Sequence, residues 1–442
     1  MTTAREAAPF AATESRAFEH ATVRKVYRRL IPFLCVLQVA SYLDRINIGF
    51  AQLQMKSALG FSDSVYGLGA GIFFIGYFFF EVPSNLILSR IGARVWIGRI
   101  MISWGLISSA MAIVGTPTGF YTLRFLLGVA EAGFFPGVIY YLSLWFPACE
   151  RASAVARFMT ATAISGIVGG PLSGALLTLD GVAGLAGWQW IFIAEGIPSI
   201  VLGIATLFFL TDHPAAAKWL SSEERSYLAS KMQAETNDLA PRREHVSFRH
   251  VLLHPRVWQL SLLSFTLLVG MYSISFWLPQ IVKSFSGRGN VEVALLSAIP
   301  YIAAAIAMVA VGAHSDRKQE RCVHIASAAV AGAVGLAVST LVHTPVPGLI
   351  GLSLAAIGIF SAIPVFWSLP TAFLSGTAAA GGIALINSVG NLGGFIGPYL
   401  IGRLRDATGD FTGSLLAVAG LLVGSAALAV SLRRLPPSGV GT

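Results

Sequence analysis

Long apolar stretches alternate with short polar segments along nearly the whole chain. A helix that crosses a lipid bilayer needs about 20 mostly apolar residues, and twelve stretches reach that length. They cover residues 30–51, 65–88, 95–115, 120–144, 154–177, 189–210, 256–282, 291–312, 322–342, 348–372, 381–402 and 412–432. The first stretch does not end in a small-residue cleavage site, so it is expected to remain as a span. The pattern predicts an all-α membrane protein with twelve transmembrane helices.

The composition agrees with a membrane protein and excludes a soluble enzyme. Of the 442 residues, 55% are hydrophobic and only 12% are charged, whereas a soluble domain is roughly 25% charged. The net charge of +9 does not indicate a nucleic-acid partner, because a basic excess in so apolar a chain is typical of cytoplasmic loops. The three cysteines, Cys35, Cys149 and Cys322, are far apart and predict neither a disulfide framework nor a metal site. No cofactor is expected.

The positions of lysine and arginine predict the orientation in the membrane. With the N-terminus inside, 23 of the 30 lysines and arginines lie in or beside cytoplasmic segments, and five lie in outer loops. Because cytoplasmic loops carry an excess of these residues, both termini are expected in the cytoplasm. We expect a multi-pass, monomeric protein of the plasma membrane, which in a bacterium is the inner membrane.

The chain contains an internal repeat. Arg90 follows the second stretch and Arg317 follows the eighth, each in a short polar motif, and the two arginines are 227 residues apart. A Gly-x-x-x-Gly-Pro motif ends at Pro171 in the fifth stretch and at Pro398 in the eleventh, with the same offset. Two related halves with a site between them are a transporter architecture. The predicted organisation is a cytoplasmic segment 1–29, a six-helix bundle 30–210, a cytoplasmic linker 211–255, a second six-helix bundle 256–433 and a tail 434–442.

Four charged residues fall inside predicted spans of the first half: Asp44, Arg45, Arg124 and Glu131. Charges within a membrane are costly and therefore mark functional candidates. The rise of 1.5 Å per residue is expected to place Asp44 and Arg124 in the outer half of the membrane, where they could face one another, and Glu131 near the midplane. The repeat offset maps the four residues onto uncharged ones, which are Met271, Tyr272, Gly351 and Gly358. The ionisable groups are thus confined to the N-terminal half.

Two interpretations of these charges remain open. The four residues could form two buried ion pairs that hold the first and fourth spans together. Alternatively, the arginines hold an anion while the carboxylates exchange protons, since a planar guanidinium suits a carboxylate ligand. All eight histidines lie in loops or at span ends, so a proton carrier near the midplane must be a carboxylate.

Other polar residues in the spans are weaker candidates. Glu81, late in the second stretch, is interpreted as a gate on the cytoplasmic side or a structural partner of loop arginines. Four residues of the second half suit hydrogen bonding to a hydroxylated or aromatic anion, although each could simply join helices. They are Trp367, Ser368, Asn387 and Asn391, of which the last two share a helical face.

Several motifs resemble those of known membrane carriers. Asn85-x-x-x-x-Arg90-x-Gly92-x-Arg94 and Gly312-x-x-Ser315-Asp316-Arg317 resemble the loop signature of the major facilitator superfamily, with Ser89 in place of the usual aspartate. Tyr42-Leu-Asp-Arg45-x-Asn47, Arg124-Phe-x-x-Gly128-x-x-Glu131 and Trp145-Phe-Pro147-x-x-Glu150-Arg151 are similar to motifs of its anion:cation symporter family. The resemblance covers nearly the whole chain.

The resemblance implies the major facilitator fold and proton-coupled uptake of a small organic anion. Hydroxy-acids, sugar acids and aromatic acids all remain open as substrates, with tartrate-like acids favoured. It implies proton coupling by Asp44 and Glu131, substrate binding by Arg45 and a coupling role for Arg124. It also implies that Tyr42, Tyr77, Trp367, Ser368 and Asn387 line the cavity. Arg90, Asp316 and Arg317 would act as gating or structural residues of the loop signature.

Two other functions remain as alternatives. The glycine motif before Pro171 resembles an antiporter signature, so proton-driven efflux is one alternative. The same motif recurs before Pro398, which favours helix packing as its explanation instead. The other alternative is a non-transporting sensor on a permease scaffold. No spacing typical of a nucleophile and base, a metal site or a phosphate loop is found, so the sequence does not predict an enzyme.

Overall fold

The computed structural model describes residues 7–239, 254–341, 344–373 and 376–433, and these fold as helices joined by short connections. By length and composition, eleven helical stretches in the described part could cross a membrane. We number twelve spans in chain order. They are Ala7–Ile46 with Ile48–Leu59 (span 1), Asp63–Ile91, Ala93–Ala110, Pro117–Glu131 with Phe134–Trp145 (span 4), Ala148–Leu177, Gly187–Phe209, Pro255–Ser286 (span 7), Asn290–Lys318, Cys322–Leu341, Pro345–Phe373, Gly376–Asn391 with Gly393–Thr408 (span 11) and Thr412–Arg433.

Helical structure is also present outside the predicted spans. The helix of span 1 begins at Ala7, so the described part of the predicted segment 1–29 continues directly into the span. The linker contains the helix Ser222–Leu239, whose Leu228 is buried. Linker residues 240–253 and the predicted tail 434–442 lie outside the described residues.

Span 4 is not the continuous helix that the sequence predicts over 120–144. Its first helix ends at Glu131, and Gly133 adopts a left-handed conformation with φ of 89° before the second helix begins. A Cβ atom at residue 133 would lie 2.4 Å from Ser84 Oγ, so glycine also permits a close approach to span 2. The break leaves Glu131 as the last residue of a helix inside the bundle.

The repeat extends into details of the structure that the sequence analysis did not use. Gly60 and Gly287, 227 positions apart, both end a helix in the left-handed conformation. Lys56 donates to Asp63, and Lys283, which occupies the equivalent position in the second half, donates to Asn290 Oδ1 at 2.7 Å. The two halves therefore share one local geometry at the start of their second spans.

The two halves contact each other at the end of the bundle farthest from the N-terminal segment, which we call the distal end. Spans 2 and 11 cross where a Cβ atom at Gly67 would lie 2.5 Å from the carbonyl oxygen of Pro398. Spans 5 and 8 cross where a Cβ atom at Gly170 would lie 2.4 Å from the carbonyl oxygen of Ala294. The repeat offset carries one crossing onto the other. Small residues allow this approach of backbones, and the distal end is closed.

Polar contacts also join the halves at the distal end. The Asp63 carboxylate accepts from Arg405 Nη1 at 2.9 Å. The Asp406 carboxylate accepts from the backbone N–H groups of Asp63 at 3.0 Å and Ser64 at 2.8 Å. These amides begin span 2 and have no partner within the helix, so a side chain of one half caps a helix of the other.

Candidate functional site

Arg45 and Glu131 form an ion pair between spans 1 and 4. Arg45 Nη2 donates to Glu131 Oε1, which also accepts from Ser41 Oγ at 3.1 Å. The Arg45 guanidinium carbon lies 5.4 Å from the ring centre of Phe73 and 5.5 Å from that of Tyr77. The predicted residues Arg45, Glu131 and Tyr77 therefore come together, with Phe73 and Ser41 as members that the sequence analysis missed.

The ion pair lies on the axis that relates the two halves. Arg45 Nη1 is 3.4 Å from the hydroxyl oxygen of Tyr272, and these residues are 227 positions apart. Tyr272 is thus the counterpart of Arg45 in the second half. Two equivalent residues lie at equal distances from a two-fold axis, so they can touch only at the axis itself. Arg45 therefore lies close to this axis, in contact with both halves.

Arg45 keeps capacity for a further ligand. Its side chain retains 15% of its exposure, whereas that of Glu131 retains 2%. Arg45 Nε has no hydrogen-bond partner among the described residues. A guanidinium carries five N–H donors in a planar fork that can grip a carboxylate through two parallel bonds. The arrangement can therefore accept an anion beside, or in place of, Glu131.

Glu81 joins the halves on the other side of Arg45, nearer the termini. Its Oε1 atom accepts from Asn387 Nδ2 at 2.7 Å, and its Oε2 atom lies 3.5 Å from Ser388 Oγ. Glu81 follows Tyr77 by one helical turn on span 2, and only 6% of it is exposed. The structure thus connects two predicted site residues, Glu81 and Asn387. The gating role of Glu81 remains a prediction.

The expected juxtaposition of Asp44 and Arg124 is wrong. The Asp44 carboxylate accepts from Trp104 Nε1 at 2.9 Å, Ser108 Oγ at 2.7 Å and Ser199 Oγ at 2.6 Å. These donors lie on spans 3 and 6, so Asp44 points into the N-terminal bundle. Adjacent residues of a helix project about 100° apart. Because Arg45 faces the axis between the halves, its neighbour Asp44 points in a different direction, into the N-terminal bundle.

Arg124 binds backbone carbonyls and not a carboxylate. It donates to the carbonyl oxygens of Gly69 and Ala70, each at 3.1 Å, and it is fully buried. The ring of Phe73 lies beside it at 5.2 Å and also lies beside Arg45. Of the two ion pairs in the structural interpretation, only Arg45–Glu131 has formed. Arg124 instead joins spans 4 and 2.

A second buried acid lies near Asp44. Ser199 Oγ donates to Asp44 and lies 3.2 Å from the carbonyl oxygen of Glu195. Glu195 Oε1 accepts from Ser173 Oγ at 3.3 Å, and Glu195 is 5% exposed. The carboxylates of Asp44 and Glu195 accept from hydroxyl and indole groups. The two acids form a polar cluster separate from Arg45.

The remaining predicted residues occupy other places in the structure. Tyr42 borders a cavity of about 30 Å³ between the halves, together with Tyr301 and Phe360. Trp367, Ser368 and Asn391 are half-buried on spans 10 and 11. Their binding roles remain predictions.

The loop-signature residues lie at the C-terminal ends of spans 2 and 8. Arg90 and Arg317 are exposed, and Asp316 accepts from Arg321 Nη1 at 2.5 Å. Arg321, which the sequence analysis did not select, also donates to Ser315 Oγ at 3.1 Å. It therefore closes the turn between spans 8 and 9.

Comparison with known proteins agrees with this architecture. Residues 34–398 match the Major Facilitator Superfamily over most of the chain. The chain belongs to this superfamily. It is a multi-pass membrane transporter and not an enzyme, and the predicted major facilitator fold is confirmed.

Similar proteins include bacterial transporters of nearly equal length. A protein of Agrobacterium vitis named as a tartrate transporter is 51% identical, over 96% of this chain and 97% of that protein. The metabolite transport protein NicT of Pseudomonas putida is 46% identical, over 92% and 93%. A quinolone resistance transporter of Acinetobacter baumannii is 44% identical, over 90% and 92%. The first two are consistent with the anion:cation symporter family within the superfamily.

Solved structures share the fold at low sequence identity. A bacterial homologue of the human lysosomal transporter Spinster, in an inward-facing and unoccupied conformation, gives a TM-score of 0.77 at 17% identity, over 91% of this chain and 96% of that one. A D-xylose–proton symporter gives 0.70 at 15% identity, over 92% and 99%.

Proposed function

We propose that this transporter imports a small organic carboxylate together with protons, and that a tartrate-like acid is its preferred substrate. The observation that carries the proposal is the Arg45–Glu131 pair, which lies on the axis between the halves and leaves Arg45 with unused donors. In this proposal the termini are cytoplasmic and the distal end faces the periplasm. The relatives named as tartrate transporters support the substrate class.

Coupling of substrate to protons would follow because the substrate carboxylate and Glu131 compete for the guanidinium of Arg45. When a substrate carboxylate binds Arg45, Glu131 loses its cationic partner. A buried carboxylate without such a partner favours the protonated form, because burial penalises charge. Substrate and proton would therefore be taken up together. Departure of the substrate would let Glu131 release its proton and pair with Arg45, as the two residues do in the structure.

Access would alternate by rocking of the two halves about the axis. The glycine crossings at Gly67 and Gly170 close the distal end in this conformation. Release of substrate toward the cytoplasm would require the contact between Glu81 and Asn387 to separate, because it joins the halves on the side nearer the termini. Opening of the distal end would separate both crossings and the contact between Asp63 and Arg405.

Efflux remains a second candidate, because one relative is named as a quinolone resistance transporter. The Gly-x-x-x-Gly-Pro motif of span 5 adds little to it. Gly170 lies against Ala294 in the distal crossing, and the related motif in span 11 makes the equivalent contact with Gly67. Helix packing therefore accounts for the motif in both halves.

Flux measurements in proteoliposomes test the proposal. Labelled tartrate, together with a panel of sugar acids and aromatic acids, would be supplied outside vesicles with an inward proton gradient. We expect accumulation of at least one carboxylate, its collapse by a protonophore and its loss in Arg45→Ala. Outward flux of the same acid against its gradient, driven by inward protons, would favour the antiporter. Absence of flux for every acid and every gradient would favour the sensor.

A further inference from the structure

A cluster of basic residues lies near the N-terminal end of span 1, away from Arg45. An open surface cleft of about 930 Å³ lies between span 1, the end of span 6 and the linker. Its lining residues on span 1 recur at intervals of three and four, so they share one helical face. That face includes Arg24, Lys25, Arg28, Arg29, Phe33 and Val36.

The four cations of the cleft differ in their partners. Lys25 Nζ donates to the linker residue Glu224 at 2.8 Å. Arg29 stacks between Phe209 and Trp219, with its guanidinium carbon 4.8 Å and 5.0 Å from their ring centres. Arg24 and Arg28 are exposed, and they have no ion-pair partner in the part of the chain that the structure describes. The cleft therefore offers two unpaired guanidinium groups on adjacent turns.

Glu224 is paired with Lys25 and so does not neutralise the arginines of the cleft. Burial raises the pKa of Glu224, but the hydrogen bonds from Lys25 and Ser221 hold that pKa below its ordinary value. Glu224 thus stays ionised and neutralises Lys25. Arg24, Arg28 and Arg29 leave a net positive potential at the mouth of the cleft, which suits an anion.

Depth along span 1 indicates what kind of anion. Val36 follows Arg28 by eight residues, which places it about 12 Å deeper along a helix axis. Val36 is 49% exposed and Phe33 is half-buried. A cationic mouth at the start of a span, continued by exposed apolar side chains, matches a phospholipid with its headgroup at the interface and its acyl chain in the core.

We propose that this cleft binds an anionic phospholipid, with its phosphate between Arg24 and Arg28 and an acyl chain along Phe33 and Val36. Charge complementarity selects anionic over zwitterionic lipid. Because Trp219 and Glu224 belong to the linker, a bound lipid would fasten the linker to span 1. The inference is independent of the proposed substrate and coupling.

Binding to the intact protein in detergent tests the proposal. Phosphatidylglycerol and phosphatidylcholine would be titrated separately, with bound lipid counted by native mass spectrometry. Each basic residue near a membrane surface contributes about fivefold to the binding of anionic lipid. We therefore expect Arg24→Gln with Arg28→Gln to lower the affinity for phosphatidylglycerol about 30-fold. The control, Lys231→Gln with Lys318→Gln, removes two exposed charges elsewhere and should keep the wild-type affinity.

Two results would overturn the proposal. One is equal loss in the control pair, which would indicate a diffuse charge effect. The other is complete displacement of phosphatidylglycerol by inorganic phosphate at concentrations similar to those of the lipid. That result would indicate a site for a free anion.

A measurement on the unmodified protein does not depend on the folding of any variant. Phosphatidylglycerol with a photoreactive group in its acyl chain would be cross-linked in vesicles, and the adducts would be mapped. We expect adducts at Phe33 or Val36, in excess over those from the same probe with a choline headgroup. Equal labelling by both probes would contradict a headgroup-selective site.

Discussion

Replacement of Glu131 by glutamine tests whether this carboxylate competes with the substrate. Glutamine has nearly the same shape and can accept from Ser41, but it carries no charge. In the native protein Arg45 Nη2 donates to Glu131. The variant breaks that ion pair and frees the guanidinium for a substrate carboxylate.

The expected change in affinity follows from that one bond. A hydrogen bond to a charged group contributes about 1.5–3 kcal/mol, so the variant should bind the carboxylate about 10- to 150-fold more tightly. An unpaired buried arginine costs about 3–5 kcal/mol. The empty variant should therefore melt at a lower temperature than the native protein, and the substrate should raise its melting temperature by a larger amount.

Transport should change in the opposite direction to binding. Glu131→Gln cannot release a proton, so accumulation driven by a proton gradient should be abolished. Counterflow, in which the loaded carrier shuttles between the two faces, needs no proton release and should remain. The assays are isothermal titration with the carboxylate and uptake of the labelled acid by proteoliposomes.

Glu195→Gln provides a matched control. It is the same substitution at a buried acid in the same half, hydrogen-bonded to Ser173, and it should leave substrate affinity unchanged. Weaker binding in folded Glu131→Gln would show that Glu131 supports the substrate instead of competing with it. Proton-driven accumulation by the folded variant would remove Glu131 from coupling.

Three further predictions concern other parts of the molecule. Arg45→Lys keeps the charge but loses the planar fork, so carboxylate affinity should fall by about 1–3 kcal/mol in the same titration; equal binding of the acid and its neutral amide would contradict anion recognition. Asp44→Asn should abolish proton-driven uptake and preserve counterflow if Asp44 carries a proton, whereas native accumulation would restrict Asp44 to a structural role. The Asp406 carboxylate accepts from the first backbone N–H groups of span 2, at Asp63 and Ser64, so this cap stabilises the closed distal end. Asp406→Asn should therefore speed amide exchange at Asp63 and Ser64 at neutral pH, and native exchange rates would contradict the capping role.

The sequence alone predicts the fold class and which charged residues lie inside the spans. Hydrophobic length predicts spans because each backbone polar group in a bilayer must be paired within its own helix. The 227-residue offset predicts the two halves, and the cost of charge in lipid selects Asp44, Arg45, Arg124 and Glu131 as candidates. None of these inferences requires knowledge of which helices touch.

The partners of each charge were decided by tertiary structure. Arg45 and Glu131 are on different helices, and their pairing depends on how spans 1 and 4 are rotated about their axes. The same rotation turns Asp44 toward Trp104 and away from Arg124. Sequence spacing specifies faces within a helix but not the angle of that helix in the bundle, which is set by backbone contacts such as Phe73 against Gly128. The contact of Arg45 with Tyr272 likewise arises only when the two repeats close about their common axis.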